Sequence, residues 1–272
     1  MNVSISLWSY VKLIRNGMPV PEVIRHMYKH GIRYVEVLDC FLHNDEERQA
    51  AKDVIDELGM KVASYSIGNN FVCDEETRRS QVEMVKEACK YAKFFNTNVI
   101  RVFSGDLCEG YDFDKAFNLI VDSFKECVKV AEAEGIYYCL ENHGRLAGKS
   151  YQIKQIIDAV GSKHLKATTD TGNFLLCAEN PSDAVRNLKD YVGLVHFKDF
   201  KLVDREHAQY HGDDGIYARG VVLGEGDVDM QGIVDFLKSV NYEGCISIEY
   251  EGEIVLELIE QSIANTLGFV SK

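Results

Sequence analysis

The stretch "HGIRYVEVL", residues 30–38, holds the junction of a helix and a strand. Gly31 follows a helical pattern over residues 20–29 and supplies the left-handed residue with which many helices end. The run "YVEVL" (34–38) is a short strand rich in valine and leucine. A nearly continuous apolar strand that follows a helix predicts a parallel sheet covered by helices on both faces.

The same unit recurs along the whole chain. Apolar runs predict strands at residues 3–8, 34–38, 61–67, 98–104, 136–142, 165–170, 192–197 and 245–250. Amphipathic patterns predict helices at residues 20–29, 45–58, 75–95, 113–134, 151–160, 182–189, 230–240 and 253–269. Local signals agree with these bounds: Asn44 with Glu47 forms a capping box, Asn180 caps a helix that starts at Pro181, and Gly59 and Gly135 follow helix ends.

Eight such units predict an α/β fold, a single (β/α)₈ barrel over residues 1–272. The alternative is an open, doubly wound sheet. A dinucleotide-binding fold would carry G-x-G-x-x-G after its first strand, and "SLWSYVKL" (6–13) lacks it. We therefore expect no nucleotide cofactor.

The net charge, the apolar runs and the cysteines of the chain disfavour several classes of function. The formal charge of −13 disfavours nucleic acid as a partner, because binding to phosphates depends on clustered Lys and Arg. The sequence shows neither an apolar run of membrane-spanning length nor the regions of a signal peptide, so we expect a cytoplasmic protein that does not enter membranes.

The eight cysteines form no C-x-x-C pair, and several, such as Cys139 and Cys245, lie in apolar runs. We interpret them as buried thiols, with a catalytic cysteine as the alternative.

Ionisable residues end four consecutive predicted strands. They are Glu141 in "CLENHG", Asp170 in "TTDTG", His196 in "LVHFKD" and Glu249 in "SIEYEG". In a barrel, the carboxyl ends of the strands converge on one site. Unpaired buried charge is costly, and a divalent cation offsets that cost. The sequence therefore predicts one metal ion, Mn²⁺, Mg²⁺, Co²⁺ or Zn²⁺, on these four residues.

The motifs "LENHG", "DTGN", "HFKD", "GEGDVD" and "IEYEG" resemble those of the xylose isomerase-like barrel superfamily, in its sugar phosphate isomerase/epimerase branch. Its members include ketose 3-epimerases and inosose dehydratase. The resemblance implies that Glu141, Asp170, His196 and Glu249 hold one catalytic metal. It also implies that Glu141 and Glu249 are the catalytic pair, one removing a proton next to a carbonyl and the other returning one. The alternative is that both are ligands only and another residue, such as His143, acts as the base.

The sequence departs from this pattern in two places. Asn173 stands where many epimerases carry a histidine, and we expect it to contact substrate or to cap its helix. Ser64 and Ser104 stand where endonuclease IV, a relative with three zinc ions, has histidines. The departure at these two serines, together with the acidic charge, argues against DNA repair.

Further residues are candidates for substrate contact. Lys198 and His143 follow His196 and Glu141 by two positions and so share their sides of the strands. For Lys198 we expect a role in polarising an oxygen or, after a fall in its pKa, as an acid; the alternative is an exposed loop lysine. Arg145 is a weaker candidate. Arg219 lies in the long segment between Asp199 and Asp227, which we expect to be a lid or binding loop.

The leading interpretation is a metal-dependent isomerase or epimerase that acts on a ketose through an enediolate. One alternative is a lyase of the inosose dehydratase type, and another is a sugar-binding barrel without catalytic activity. The expected partner is a small carbohydrate or cyclitol, and relatives are often dimers or tetramers.

Overall fold

The computed structural model of the chain describes residues 1–253 and 255–272. Eight parallel strands close into a barrel in the order β1-β11-β7-β6-β5-β4-β3-β2. The barrel strands are β1 (Asn2–Ser6), β2 (Tyr34–Leu38), β3 (Lys61–Ser66), β4 (Val99–Val102), β5 (Tyr137–Glu141), β6 (Leu165–Asp170), β7 (Val192–Phe197) and β11 (Cys245–Ile248). The predicted (β/α)₈ barrel is confirmed.

Helices connect the strands and cover the outside of the barrel. They are α1 (Val11–Arg15), α2 (Val20–Lys29), α3 (Asp45–Glu57), α4 (Glu75–Phe94), α5 (Phe113–Glu134), α6 (Ser150–Val160), α7 (Thr171–Leu176), α8 (Pro181–Asn187), α9 (Met230–Ser239) and α10 (Leu256–Ser271). Within the described residues, none of them is long and apolar enough to cross a bilayer. Residue 254 of the predicted helix 253–269 lies outside the described residues.

The connection after β6 differs from the prediction. The chain after β6 forms two helices, α7 and α8, where the sequence indicated one at 182–189. The first begins at Thr171, directly after the strand, because the side chain of Asp170 accepts a hydrogen bond from the Asn173 N–H at 2.8 Å and caps it. The strand therefore ends on a residue that also starts a helix.

The strand register brings the predicted site residues close together. Asp170 on β6 is paired with His196 on β7, and His196 is paired with Ser247 on β11. Glu249 follows two residues after Ser247 and so points to the same side of the sheet. These pairings place the carboxyl ends of the last strands around one point.

The segment predicted as a lid contains a small antiparallel sheet. Its strands are β8 (Phe200–Leu202), β9 (Tyr210–His211) and β10 (Tyr217–Gly220), in the order β8-β10-β9. Gly220 packs against the Glu251 carbonyl so closely that a Cβ would lie 2.1 Å from its oxygen. The segment is thus an ordered extension that abuts the loop after β11.

Buried Asp199 holds the turn that follows this sheet. Its Oδ2 accepts hydrogen bonds from the N–H groups of Gly224 and Gly226 at 2.9 and 2.8 Å. Its Oδ1 accepts one from Val228 N–H at 3.2 Å. A Cβ at Gly226 would lie 2.1 Å from Asp199 Oδ1, so this turn requires glycine.

The cysteines follow the prediction only in part. All eight are free, and Cys139 is buried as expected. The prediction is wrong for Cys40 and Cys108, which are exposed in the short 3-10 helix after β2 and in the loop after β4. Cys245 and Cys73 are only partly buried.

We expect Asp199→Ala to lower the free energy of unfolding by about 2 kcal/mol or more, since three backbone N–H groups lose their acceptor. Urea unfolding measures the change. Asp235→Ala is the matched control, because that carboxylate accepts a single hydrogen bond on the exposed face of α9, from Gln231 at 2.9 Å. Equal unfolding midpoints for the two variants would contradict this account of the turn.

Candidate metal centre

The four predicted ligands meet at the carboxyl end of the barrel. His196 Nδ1 lies 3.4 Å from Glu141 Oε2, 3.4 Å from Glu249 Oε2 and 3.8 Å from Asp170 Oδ2. All four side chains are buried, and one potential ligand atom from each lies within 4.8 Å of the others. Among the described residues, the structure thus brings the predicted O₃N set to a single point.

Amide side chains hold Asp170 and Glu141 in place. Asn142 accepts a hydrogen bond from the Asp170 N–H at 2.8 Å and donates one to the Asp170 carbonyl at 3.0 Å. The Asn173 amide donates to Glu141 Oε1 at 3.2 Å. Asn173 thus engages one oxygen of each carboxylate: its N–H donates to Asp170 Oδ1, and its amide donates to Glu141 Oε1. The other oxygens, Asp170 Oδ2 and Glu141 Oε2, face the cluster.

Glu36, on β2, positions His196, and the sequence interpretation missed it. Its carboxylate is fully buried and lies 3.1 Å from His196 Nε2. Ser66 and Ser247 each donate a hydrogen bond to it, both at 2.6 Å. A proton held on Nε2 by Glu36 leaves Nδ1 as a lone-pair donor directed at the cluster. A glutamate in the middle of the apolar run "YVEVL" was the available signal.

Three buried atoms at the centre of the cluster indicate that these residues fit a metal ion. Among the described residues, Glu141 Oε2, Asp170 Oδ2 and His196 Nδ1 make no contact with hydrogen-bond geometry, and their charged neighbours are in ion-pair contact only. Buried polar atoms in folded proteins are nearly always satisfied. Carboxylate oxygens and one imidazole nitrogen directed at a common point are the donors of a divalent cation site.

The charge balance points the same way. Burial by itself lowers the pKa of His196, but the carboxylates around it outweigh that effect and hold the pKa well above the ordinary value. A metal ligand must be the neutral imidazole. With His196 neutral, the buried carboxylates exceed the buried cations by two, the charge of one divalent ion; the carboxylates are Glu36, Glu141, Asp170 and Glu249, and the cations are Arg101 and Lys198. Burial raises the pKa of Asp170 to about 8, and the nearby carboxylates of Glu249 and Glu141 act in the same direction against Lys198. The ionised form of Asp170 is therefore destabilised unless an additional cation lies beside it.

Lys198 lies inside the cluster, which excludes the alternative of an exposed loop lysine. Its Nζ is 2.7 Å from Glu249 Oε2, 2.9 Å from Asp170 Oδ2 and 3.4 Å from Glu251 Oε1. Burial by itself lowers the pKa of Lys198, but Asp170, Glu249 and Glu251 outweigh it and hold that pKa well above its ordinary value. The field of these carboxylates therefore opposes the fall in the pKa of Lys198 that the sequence interpretation expects beside a bound metal ion.

The same pairing acts on Glu249. Burial favours its neutral form, but Lys198 and His196 hold its pKa well below the ordinary value for glutamate. Glu249 is therefore ionised at neutral pH and available to accept a proton or a cation.

Arg101, on β4, is a second residue that the sequence interpretation missed. Its Nε lies 3.2 Å from Glu141 Oε2, and its Nη1 donates to the Ile67 carbonyl at 2.7 Å. An arginine in the apolar run "NVIRVFS" was the signal. Arg101 thus places a permanent positive charge beside Glu141.

The remaining candidates lie at different distances from the centre. His143 lines the cavity above it and packs on Phe103, with ring centroids 4.2 Å apart. Asn173 is buried between Glu141 and Lys198. The helix cap is Asp170, so the capping alternative for Asn173 is wrong.

The two candidate arginines are exposed. Arg219 lies on β10 and does not line the cavity, as far as the described residues show, and Arg145 is also on the surface. The structure gives neither arginine a place in the site.

A cavity of about 380 Å³ opens over the ligands. Its lining includes Trp8, Phe103, His143, Lys198, Glu141 and Glu249. Small-molecule sites are roughly 300–1,000 Å³ in volume and combine apolar walls with a few polar groups. Another cavity of about 390 Å³ lies at the opposite end of the barrel, where Tyr137, Gly193 and Gly244 line it, away from the carboxylate cluster. The mouth of the barrel is thus the candidate site.

Comparison with known proteins agrees with the barrel and its site. A model of the xylose isomerase-like TIM barrel family matches residues 24–268. The chain is 23% identical over 235 residues to inosose dehydratase of Clostridium beijerinckii, which covers 84% of this chain and 67% of that protein. It is 27% identical over 194 residues to an uncharacterised protein of Methanocaldococcus jannaschii, covering 69% of this chain but only 62% of the relative's length.

Solved structures show the same fold. A D-psicose 3-epimerase with D-tagatose from Clostridium cellulolyticum H10 superposes with a TM-score of 0.78 at 17% identity, covering 100% of this chain and 98% of that one. An IOLI protein with a bound zinc atom superposes with a TM-score of 0.80 at 15% identity and the same coverage. At these identities the likeness shows the fold alone.

We expect Glu36→Gln to weaken the binding of Mn²⁺ by about 10–100-fold, because the neutral amide no longer fixes the His196 tautomer or raises its basicity. Calorimetric titration of the metal-free protein measures the affinity. Glu22→Gln, on the exposed face of α2, is the matched control. An unchanged Mn²⁺ affinity in a folded Glu36→Gln protein would show that Glu36 has no role in positioning the ligand.

Proposed function

The chain belongs to the xylose isomerase-like TIM barrel family, and from this membership and its metal centre we propose that it is a divalent-metal-dependent sugar isomerase or epimerase. Its substrate is a small ketose, and its reaction begins with removal of the proton next to the carbonyl. Relatives named as epimerases and as inosose dehydratases support a reaction of this class.

The arrangement of Glu141 and Glu249 is the observation that carries the proposal. Both carboxylates line the cavity, and both belong to the ligand cluster. They come from β5 and from the end of β11, strands separated in the barrel by β6 and β7. They therefore approach a bound substrate from two sides, so one carboxylate removes the proton from the carbon and the other delivers a different proton to the opposite face. Inversion of that carbon is the result.

Four residues, Glu141, Asp170, His196 and Glu249, would hold the cation. When bound, a divalent ion such as Mn²⁺ supplies Lewis acidity, which polarises a carbonyl and stabilises the charge of an enediolate. Against the effect of burial, Lys198 and His196 hold the pKa of Glu249 well below the ordinary value, so this carboxylate is in the ionised form that can accept a proton. Trp8 and Phe103 give the cavity apolar walls that exclude water from the reacting carbon.

The position of Lys198 favours a second candidate, a lyase of the dehydratase type. Its ammonium group lines the cavity 2.7 Å from Glu249 Oε2. After Glu249 removes a proton, an acid at this position can protonate a hydroxyl on the adjacent carbon and release it as water. The similarity to inosose dehydratase points in the same direction.

We expect Glu249→Gln to reduce turnover by at least about 10²-fold, because an amide neither accepts the proton nor binds a hard cation well. Steady-state rates and circular dichroism together measure activity and fold. Glu257→Gln, exposed on the first turn of α10, is the control and should keep full activity. Retained turnover in Glu249→Gln would remove this residue from the mechanism.

Treatment with EDTA should abolish activity, and added Mn²⁺ or Co²⁺ should restore it, since three ligand atoms then lose or regain their partner. The measurement is the initial rate before and after dialysis. Mg²⁺ and Zn²⁺ added in parallel identify the metal that supports the highest rate. Full activity after complete removal of metal would contradict the proposal.

Incubation with ketohexoses, ketopentoses and inososes in D₂O separates the candidate functions. An epimerase or isomerase places deuterium on the carbon next to the carbonyl and conserves the substrate mass apart from it. A lyase gives a product lighter by one water. NMR and mass spectrometry detect the two outcomes, and binding without exchange or loss of water would identify a sugar-binding barrel.

A further inference from the structure

A second group of metal-ligating side chains lies on the outside of the barrel, between the first and last long helices. His26 on α2 and His30 just after it stand four residues apart, and Glu260 on α10 faces both. Glu260 Oε1 lies 3.0 Å from His26 Nε2 and 3.3 Å from His30 Nε2. The two imidazole rings stack, with centroids 4.5 Å apart. One potential ligand atom from each of the three residues lies within 4.8 Å of the others.

The hydrogen bonds of His26 allow it to become a ligand. Its Nε2 is hydrogen-bonded to Glu260 Oε1 at 3.0 Å, and Tyr10 Oη lies 3.0 Å from its Nδ1. When the ring proton moves to Nδ1 and is donated to Tyr10, a metal ion can take the proton's place between Nε2 and Glu260. His30 Nε2 is buried and makes no hydrogen bond to the described residues. Two stacked imidazoles beside one carboxylate oxygen cannot both be protonated without repelling each other. A metal cation would satisfy both nitrogens and the carboxylate together.

We propose that His26, His30 and Glu260 form a second metal site, which binds Zn²⁺ or a similar transition-metal dication. Two imidazoles at i and i+4 on one helix face plus one carboxylate give an N₂O set, which favours Zn²⁺ over Mg²⁺. The side chain of Glu260 is 37% exposed, so the ion has access from solvent and a fourth position open to water. The site shares no residue with the barrel mouth, and it links α2 to α10.

The two centres differ in the ions they select. The mouth site offers three carboxylates and one imidazole, a set that accepts Mg²⁺ and Mn²⁺ as well as Zn²⁺. The helix site offers two imidazoles and one carboxylate and should discriminate against Mg²⁺. An ion that joins α2 and α10 ties elements from the two ends of the chain, so its binding should raise the thermal midpoint of the protein.

The test is the Zn²⁺ stoichiometry of the metal-free protein, measured by calorimetry and by elemental analysis after gel filtration. We expect two equivalents in the unaltered protein and one in Glu260→Gln and in His30→Gln. His164→Gln is the matched control, because His164 is half-buried and stacks on Tyr137, outside both centres, and should keep two equivalents. A single equivalent in the unaltered protein, or two in both Glu260→Gln and His30→Gln, would overturn the proposal.

A second measurement isolates the helix site. In Asp170→Asn/His196→Gln, which removes two ligands of the mouth, Zn²⁺ should still bind with one equivalent and raise the thermal midpoint, while Mg²⁺ should do neither. Adding Glu260→Gln to that variant should abolish both effects of Zn²⁺. A Zn²⁺-induced shift that survives the added substitution would place the ion elsewhere. Circular dichroism confirms that each variant is folded.

Discussion

Mutual repulsion among buried carboxylates around His196 is the constraint on which the mouth of the barrel depends. Glu141, Asp170 and Glu249 converge on one imidazole nitrogen, and desolvation makes each ionised group expensive unless it is paired. Lys198 and Arg101 offset part of this cost, and with His196 neutral, as a metal ligand must be, two negative charges remain unpaired. A divalent cation matches that excess, which makes metal binding the condition under which the site is electrostatically balanced.

Rigid support surrounds this unbalanced centre. The closed barrel fixes where each strand ends, and hydrogen bonds from Asn142, Ser66 and Ser247 hold the backbone of Asp170 and the carboxylate of Glu36. Such support keeps ligand atoms together although they repel one another. The small sheet β8-β10-β9 belongs to the same support, because Gly220 packs on the carbonyl of Glu251, a residue that contacts Lys198.

The placement of Lys198 links the two reactions proposed for this family member. Epimerisation needs two groups that exchange protons with one carbon, whereas elimination also needs an acid beside the departing hydroxyl. Glu141, Glu249 and Lys198 line one cavity, so the same protein groups would serve either proposed reaction. Elimination would require a substrate that presents its leaving group to Lys198. The choice between the two proposed reactions would therefore depend on the shape of the substrate as well as on the residues that line the cavity.

The sequence by itself determined the barrel and the four strand-end residues that cluster at its mouth, because each unit of strand and helix carries its own apolar period and its own terminal residue. It did not reveal that Glu36 meets His196, that Arg101 meets Glu141, or that His26 and His30 meet Glu260. Those contacts join residues from distant parts of the chain, and only closure of the barrel and its strand register bring them together. The tertiary structure also decided that Lys198 is buried and that Arg219 is not, since a position after a strand end specifies neither burial nor neighbours.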